Sequence, residues 1–171
     1  GRRDSLIKLA QHYLDTKKYN AAIVYATGSL QLGPSGYYAE EAANYRDVPH
    51  SIIYKAAGFA GNIGMAQHHL MECLRYEPHN PEYLRDTKFY YEYADNGLDG
   101  WLSFEEQLFL YNLGTKYNNI AEVGSYKGRS THALASGCKN GKVWAIDTWE
   151  GSQDSMDDTT SLYKTSLVYK T

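Results

Sequence analysis

Apolar side chains in the first half of the chain recur at the three- and four-residue spacing of amphipathic helices. Two helices on either side of the turn 15–18 are predicted from Leu6, Leu9, Ala10, Tyr13, Leu14, Ala22, Ile23, Ala26 and Leu30. A second pair, divided by the turn 61–64, is predicted from Ile52, Ile53, Ala56, Ala57, Phe59, Ala66, Leu70, Cys73 and Leu74. Because such short turns bring the chain back along the preceding helix, each pair is expected to be antiparallel.

The two helix pairs have similar sequences. Each places small residues where its helices must approach closely, and residues 58–78 contain a late alanine, a Cys-Leu step and a closing proline. These features resemble a tetratricopeptide repeat, which implies a helical surface that binds a protein partner. Ala22 and Ala66 occupy equivalent positions 44 residues apart, instead of the usual ~34, because residues 33–50 are inserted between the pairs.

A further helix and a linker follow the second pair. Asn80 and Pro81 supply an N-cap and a first-turn proline for a helix over residues 82–93, which would cap the stack. Residues 95–100 read Asp-Asn-Gly-Leu-Asp-Gly, which predicts a turn-rich linker. The two predicted domains are therefore a tetratricopeptide-like helical domain over residues 1–97 and a second domain over residues 98–171.

The pattern of the second domain changes to helix, strand, helix, strand. A capping box at residues 103–106 begins the first of these helices. The apolar run 120–123 predicts a strand, residues 130–136 a helix, and residues 142–146 a second strand. Because a helix joins the two strands, we expect them to be parallel and to form a β-α-β unit.

The segment between the first predicted strand and its helix is suited to a nucleoside-containing cofactor. Gly124 and Gly128 allow a tight turn that a ligand can approach closely. Asp147 ends the second strand, 23 residues after Gly124, near the ~20-residue offset at which a β-α-β unit presents an acid to ribose hydroxyls. The spacing therefore predicts a cofactor site at the carboxyl ends of the two strands.

Two short segments carry the specificity of this region. Residues 121–131 read Ala-Glu-Val-Gly-Ser-Tyr-Lys-Gly-Arg-Ser-Thr, and residues 143–151 read Val-Trp-Ala-Ile-Asp-Thr-Trp-Glu-Gly. They resemble the first two motifs of class I S-adenosylmethionine (SAM) dependent methyltransferases, in the branch with a Gly-Arg-Ser-Thr helix start and an Asp-x-Trp-x-Gly second motif. The resemblance spans roughly residues 101–171. It implies a Rossmann-like fold, SAM as the cofactor, and methyl transfer to a glycan or another small hydroxylated acceptor.

The resemblance also implies a set of cofactor-binding residues in the glycine turn and after the second strand: Glu122, Gly124, Ser125, Tyr126, Gly128, Ser130, Thr131, Asp147, Thr148 and Trp149. In this family Glu122 would organise the turn, and residues 124–126 would line the methionine and the ribose. Asp147 would bind the ribose diol, with Thr148 and Trp149 beside the adenine. No residue of the sequence is identified as a catalytic base.

Other nucleotide-binding motifs fit the glycine turn less well. A nicotinamide or flavin site requires Gly-x-Gly-x-x-Gly, but position 126 is a tyrosine. A P-loop has four residues between its glycines and then a lysine, whereas Gly124 and Gly128 enclose three and Arg129 follows. A purely structural alternative is a β-α-β unit whose glycines serve packing and whose Asp147 caps a loop.

The linker partly matches an EF-hand calcium loop. Residues 95–106 fit that loop at its first, fifth, sixth, eighth, ninth and twelfth positions, but the third is Gly97, which offers no side-chain oxygen. A turn followed by a capping box accounts for the same residues. We therefore predict no metal site.

Composition narrows the expected partners and location. The formal net charge is −3, with 17 basic and 20 acidic residues and no basic stripe, so nucleic acid is not expected as a partner. No apolar run approaches the ~18 residues of a membrane span, so no membrane partner is expected. Cys73 and Cys138 lie far apart without a metal-ligand pattern, which favours reduced thiols and a cytoplasmic protein.

The expected fold class is mixed α and α/β, with tetratricopeptide-like helix pairs followed by the first β-α-β unit of a Rossmann-like SAM-binding domain. Methyltransferases of this class continue for several strands after the second motif, whereas this sequence ends at Thr171. We therefore expect a piece of a larger enzyme. The alternative function is a non-catalytic scaffold, in which the helical repeats bind a protein partner and the methyltransferase-like part is a remnant.

Overall fold

A computed structural model describes residues 3–33, residue 36 and residues 41–148. The chain divides into two compact units, Gly1–Glu92 and Tyr93–Thr171. Helices predominate, and a two-stranded parallel sheet lies in the second unit, so the fold is mixed α and β. None of the described helices combines the length and apolar composition that crossing a bilayer requires.

The first unit contains helices where the apolar periodicity predicted two pairs and a further helix. These are α1 (Arg3–Asp15), α2 (Tyr19–Leu30), α3 (Asp47–Phe59), α4 (Ile63–Tyr76) and α5 (Pro81–Asp86). Two 3-10 turns accompany them, at Ala42–Tyr45 and Thr87–Phe89. Helices α1 and α2 pack against each other, as do α3 and α4, and α3 also packs against α2.

Small residues form much of the core of the first unit. Ala10, Ala22, Ala26 and Ala56 are fully buried among Ile7, Ile52 and Ile53. An alanine has little side chain to separate two helices, so α1, α2 and α3 approach closely around these positions. The core thus accounts for the small residues that the two helix pairs share.

Two predicted connections in this unit are too long, because a helix begins inside each. Helix α3 already includes Pro49, which belonged to the predicted insertion 33–50; a proline is tolerated in a first helical turn, where its missing N–H has no partner to lose. Helix α4 begins within the predicted turn 61–64, since the side chain of Asn62 accepts a hydrogen bond from the Met65 N–H at 3.1 Å.

The helix predicted over residues 82–93 is also shorter than expected. Helix α5 ends at Asp86, and the 3-10 turn follows it. Tertiary hydrogen bonds hold the next residues off the helical path: the Gln67 side chain donates to the Tyr90 carbonyl at 2.6 Å, and the Tyr91 hydroxyl donates to the Gln67 carbonyl at 2.7 Å. These contacts are remote in sequence, so helical propensity alone did not predict them.

The second unit has the order of elements that the sequence predicts. It contains α6 (Phe104–Gly114), β1 (Asn119–Val123), α7 (Arg129–Gly137) and β2 (Lys142–Ile146). The strands pair in parallel, with Val123 opposite Ile146 at their carboxyl ends. The predicted capping box is confirmed: the Ser103 hydroxyl accepts from the Glu106 N–H at 3.3 Å, and the Glu106 carboxylate accepts from the Ser103 N–H at 2.8 Å.

Helices α6 and α7 meet backbone to backbone. A Cβ atom added to Gly137 would lie 2.1 Å from the Tyr111 carbonyl oxygen, and one added to Gly114 would lie 2.3 Å from the Leu134 carbonyl oxygen. Beneath this contact Leu134, Cys138 and Val143 form the core of the unit. Both glycines are therefore required by the distance between the two helices.

The two faces of the sheet differ in exposure. Ile120 and Val143 point toward the helices and pack into the core. Val123, Trp144 and Ile146 occupy the alternate positions and are 82%, 47% and 51% exposed. Since parallel sheets are usually covered on both faces, the apolar outer face is unusual for such a sheet.

Candidate functional site

The turn between β1 and α7 is built around two glycines. Gly124 and Gly128 both have φ +83°, a left-handed conformation that glycine adopts without strain. The Gly124 N–H donates to the Ile146 carbonyl at 2.9 Å, which fixes the turn to the end of β2. A Cβ atom built on Gly124 would contact none of the described residues within 4 Å, so they leave the space beside it open.

Asp147 lies directly at this turn. Its Oδ2 atom accepts a hydrogen bond from the Tyr126 N–H at 2.8 Å. The parallel register explains the proximity, because it places Val123 and Ile146 side by side and the residues that follow them leave the sheet at the same edge. The structure therefore brings together the glycine turn and the acid that the sequence singled out.

Glu122 and Thr131 join the strand before the turn to the helix after it. The Thr131 hydroxyl, on a residue that is 1% exposed, donates to a carboxylate oxygen of Glu122. Ser130 is half-buried next to Thr131, in the first turn of α7. Glu122 thus contacts the helix start directly, which holds the two sides of the turn at a fixed separation.

Ser125 has an unsatisfied polar atom in the middle of the turn. The residue is 2% exposed, and its Oγ atom has no hydrogen-bond partner in the described part of the chain. A buried hydroxyl without a partner costs about 1–3 kcal/mol, so native proteins rarely leave one without a reason. A polar group of a bound ligand would satisfy this hydroxyl.

Tyr126 adopts a backbone conformation that residues other than glycine rarely take. Its φ angle is +47°, which costs on the order of 1 kcal/mol for a residue with a Cβ atom. Its ring stacks on that of Trp101, with centroids 5.3 Å apart and planes 8° from parallel. Strain of this kind collects at functional sites, where the surrounding structure enforces it.

The predicted linker 95–100 and the two residues that follow it are fastened to this site. The Asp95 carboxylate forms an ion pair with the Arg129 guanidinium at 2.6 Å, and both side chains are nearly buried, at 6% and 9% exposure. Arg129 also donates to the carbonyl groups of Leu98 and Leu102, to the latter at 3.1 Å. Arg129 therefore holds the linker from a position 34 residues beyond Asp95.

The residues of the calcium-like pattern have partners within the protein. Asp95 accepts from the Gly97 N–H at 2.9 Å in addition to its pair with Arg129. Asp99 pairs with the Lys127 ammonium group, which holds the pKa of that carboxyl below its usual range. Across residues 3–33 and 41–148, no three His, Cys, Asp or Glu side chains are grouped closely enough to hold a metal ion.

Sequence reasoning missed the contributions of Trp101, Lys127 and Arg129. Arg129 belongs to the quoted motif, but nothing in the pattern indicated that its side chain would turn back to Asp95. Trp101 offered only a weak signal, as a large aromatic residue between a glycine and a capping box. Trp149, the last predicted site residue, lies outside the described residues.

The chain was compared with known proteins by sequence and by structure. No protein-family model, no curated protein and no solved structure matched it. The likeness to methyltransferase motifs thus remains a resemblance carried by two short segments, and the function is inferred from the geometry of the site.

Proposed function

We propose that this chain provides the cofactor-binding motifs of a class I SAM-dependent methyltransferase, joined to a tetratricopeptide-like helical module. The observation that carries the proposal is the contact between Asp147 and the glycine turn, through the Tyr126 N–H at 2.8 Å. A carboxylate beside an open glycine turn is the arrangement that holds the ribose of a nucleoside cofactor.

The residues of the turn would share the binding of SAM. Asp147 would accept the ribose hydroxyls, and Gly124 would let the cofactor approach the backbone. The Ser125 hydroxyl would gain the hydrogen bond that it lacks within the described chain. Glu122 and Thr131, hydrogen-bonded to each other, would keep the turn in the required shape.

Methyl transfer requires mainly that the acceptor be aligned with the cofactor. When bound, SAM supplies a methyl group activated by a positively charged sulfur. Gly124, Ser125 and Asp147 would hold and orient the cofactor for that chemistry.

The test is calorimetric titration of SAM and S-adenosylhomocysteine into the chain and into its Asp147→Ala variant, at low calcium concentration. We expect a micromolar dissociation constant for the chain and at least a roughly tenfold weaker one for the variant, because about 1.5–3 kcal/mol comes from hydrogen bonds to a charged group. Asp15→Ala is the matched control, since its exposed carboxylate lies in the first unit and accepts a hydrogen bond from Gln11.

Circular dichroism spectra of all three proteins exclude unfolding as the cause of any loss. Absence of heat from a folded wild-type chain would count against the methyltransferase proposal. Equal weakening by Asp147→Ala and Asp15→Ala would remove Asp147 from the site.

A second candidate function is a protein-binding scaffold. Val24, Phe59 and Ile63 are 65%, 70% and 47% exposed on helices of the first unit, and the Phe59 ring stacks on Tyr19 with centroids 5.1 Å apart. Exposed apolar side chains of this kind favour a peptide partner. Selection of displayed peptides against the chain would test the idea.

In that selection we expect a defined sequence motif whose affinity falls at least tenfold in Phe59→Ser. Phe109→Ser, at a 65% exposed site in the second unit, is the matched control. Peptides that bind both variants equally would contradict the scaffold.

A further inference from the structure

Tyr126 occupies a position of the turn where a glycine would be unstrained. Its φ angle is +47°, in the left-handed region that Gly124 and Gly128 adopt at +83° on either side of it. A residue with a Cβ atom keeps such a conformation only when the surrounding structure enforces it. Contacts between Tyr126 and the rest of the unit must therefore offset the strain.

The ring of Tyr126 has an aromatic partner outside the turn. It stacks on the indole of Trp101, with centroids 5.3 Å apart and planes 8° from parallel. The Lys127 ammonium group lies over the same ring, 5.3 Å from its centroid. Stacked aromatic pairs and cation–π contacts are both attractive beyond the area that they bury. The stack thus opposes the backbone strain of the residue that bears the ring.

Trp101 can act as a fixed support because buried contacts hold the segment that carries it. Its own side chain is 87% exposed, so burial contributes little to its position. Arg129 donates to the carbonyl of Leu98 before Trp101 and to that of Leu102 after it. A Cβ atom added to Gly100 would lie 3.1 Å from the Arg129 Cδ atom, so the arginine stem lies against the backbone next to Trp101. The backbone that bears the indole is therefore restrained on both sides.

The conformation of Tyr126 matters to the site because of its N–H group. That N–H donates to the Oδ2 atom of Asp147 at 2.8 Å. A carboxylate held through one of its oxygens cannot turn freely, so its orientation is set before a ligand arrives. A change of φ rotates the N–H relative to the residues that follow it in the chain. Relaxation of the strain at Tyr126 would therefore disturb the hydrogen bond that orients Asp147.

We propose that Trp101 is a positioning residue of the cofactor site: by stacking on Tyr126 it holds the glycine turn in the strained conformation that orients the Asp147 carboxylate. This inference rests on the proposed function and adds to it a residue that acts without contacting the cofactor. Arg129 anchors the arrangement, since it holds the backbone on both sides of the indole. The segment before α6 thus acts on cofactor binding from outside the glycine turn.

A direct contact of Trp101 with the cofactor is the alternative role, and a double-mutant cycle separates the two. Tyr126→Gly removes the ring on which the indole stacks, and a glycine adopts the same φ without strain. In that background Trp101→Ala should change the affinity for S-adenosylhomocysteine less than about twofold, because the indole has no ring left to hold. With Tyr126 in place, Trp101→Ala should weaken binding about fivefold through the loss of one aromatic pair.

Conservative variants distinguish stacking from simple bulk. Trp101→Phe keeps a flat ring and should bind S-adenosylhomocysteine within about twofold of the wild type. Trp101→Leu keeps an apolar side chain without an aromatic face and should behave like Trp101→Ala. Phe109→Ala is the matched control, since this aromatic side chain is 65% exposed on α6 of the same unit. It should change the affinity less than about twofold.

Hydrogen exchange of the Tyr126 amide, followed by NMR on the chain alone, reports the positioning without a ligand. Trp101→Ala should speed the exchange of this amide about fivefold, because its hydrogen bond to Asp147 opens more often. The Lys142 N–H, which donates to the Asn118 carbonyl at 2.8 Å at the other end of the sheet, is the internal control for unfolding of the whole unit. Its exchange rate should change less than about twofold.

Calorimetry and hydrogen exchange separate this inference from the proposed function. Equal weakening by Trp101→Ala with and without Tyr126→Gly would show a direct contact and overturn the positioning role. Unchanged SAM affinity in Trp101→Ala would overturn this inference alone, and wild-type affinity in Trp101→Leu would overturn stacking as its basis. Faster exchange of the Tyr126 amide in Trp101→Ala, in a chain that gives no heat with SAM, would overturn the proposed function and leave Trp101 as the residue that orients Asp147.

Discussion

The two units of this protein use buried serines differently. Ser29, in α2 of the first unit, is fully buried, and its hydroxyl donates to the Ala26 carbonyl at 2.6 Å. Ser125, in the glycine turn of the second unit, is 2% exposed and its hydroxyl has no partner among the described residues. The serine hydroxyl is therefore hydrogen-bonded within a helix in the first unit, and it lacks a hydrogen-bond partner among the described residues in the second.

Small residues show the same contrast. Ala22 and Ala26 are fully buried and let the helices of the first unit approach. Gly124 and Gly128 instead adopt a left-handed conformation, and the space beside Gly124 is open. Strain and unsatisfied polar atoms occur in both units, since Lys17 has φ +59° and the buried Arg3 Nε atom has no hydrogen-bond partner among the described residues. In the second unit, however, strain, open space and an orphan hydroxyl lie within one turn at the edge of the sheet. That concentration is the reason for proposing the cofactor site at this edge.

The largest expected difference in stability between the two units comes from removing one ion pair in each. Arg129→Met would leave the Asp95 carboxylate buried without its partner, so the free energy of unfolding of the second unit should fall by about 3–5 kcal/mol. Arg46→Met in the first unit removes a pair with Glu77 in which both side chains are almost half exposed, and should cost less than about 1 kcal/mol.

Urea unfolding, followed by tryptophan fluorescence and circular dichroism, measures both effects. All three tryptophans lie in the second unit. Equal costs for the two variants would show that burial does not distinguish the two pairs.

A smaller effect is expected from glycines that differ in the space around them. Gly137→Ala would place a Cβ atom 2.1 Å from the Tyr111 carbonyl oxygen, so α6 and α7 must separate, at a cost of about 3 kcal/mol. Gly64→Ala, in the first turn of α4, meets no atom within 4 Å and should stabilise the first unit by about 0.5 kcal/mol. Thermal unfolding of each variant gives the comparison; a stable Gly137→Ala protein would contradict the close helix contact.

The pH dependence of stability is expected to arise partly in the first unit. The Nδ1 atoms of His50 and His69 lie 2.9 Å apart between α3 and α4. Burial lowers the pKa of both histidines, that of His69 to about 4. An unfolded histidine has a pKa near 6.5, so the unfolded chain binds protons more readily than the folded one below that pH. The contribution of the neutral histidine pair to the free energy of unfolding is therefore complete above pH 6.5 and is lost as the pH falls toward 4.

Over this range the free energy of unfolding should fall by about 1–2 kcal/mol, after allowance for the partial exposure of the two rings. His68 adds to the lowering of both pKa values, whereas Glu72 and Asp47 oppose it at His50. His69→Gln should flatten the acid limb of the stability curve measured by urea unfolding. His12→Gln, at an exposed residue of α1, should leave that limb unchanged. An unaltered slope in His69→Gln would remove the histidine pair as its source.

The smallest effects come from the two serines themselves. Ser29→Ala removes a satisfied hydrogen bond and should cost about 1 kcal/mol. Ser125→Ala removes an orphan hydroxyl, so stability should stay the same or rise by up to about 1 kcal/mol. The same variant should bind SAM about two- to tenfold more weakly, because the ligand loses one hydrogen bond. Urea unfolding and calorimetry test the pair; a Ser125→Ala protein that is destabilised but binds SAM normally would place this hydroxyl in the structure and not in the site.

Local patterns predicted much of the second unit. Helix α6 and strands β1 and β2 could be located from the sequence. Their signals are the capping box at residues 103–106, the apolar runs and the two glycines, which all lie within or next to the elements that they predict. The end of α5 could not, because Gln67 makes its hydrogen bonds to Tyr90 and Tyr91 from another helix. Helix propensity is a local property and does not reveal hydrogen-bond partners on another helix.

The sequence by itself determined the order of helices and strands, and the spacing that puts Gly124 and Asp147 at the ends of neighbouring strands. Periodicity and turn residues act over short distances, which is why one sequence suffices to predict them. Only the tertiary structure decided that the segment 95–102 is fastened to the glycine turn and that Trp101 stacks on Tyr126. The first depends on the buried guanidinium of Arg129, whose partner Asp95 is 34 residues away, and the second joins residues 25 positions apart, so neither can be identified before the chain has folded.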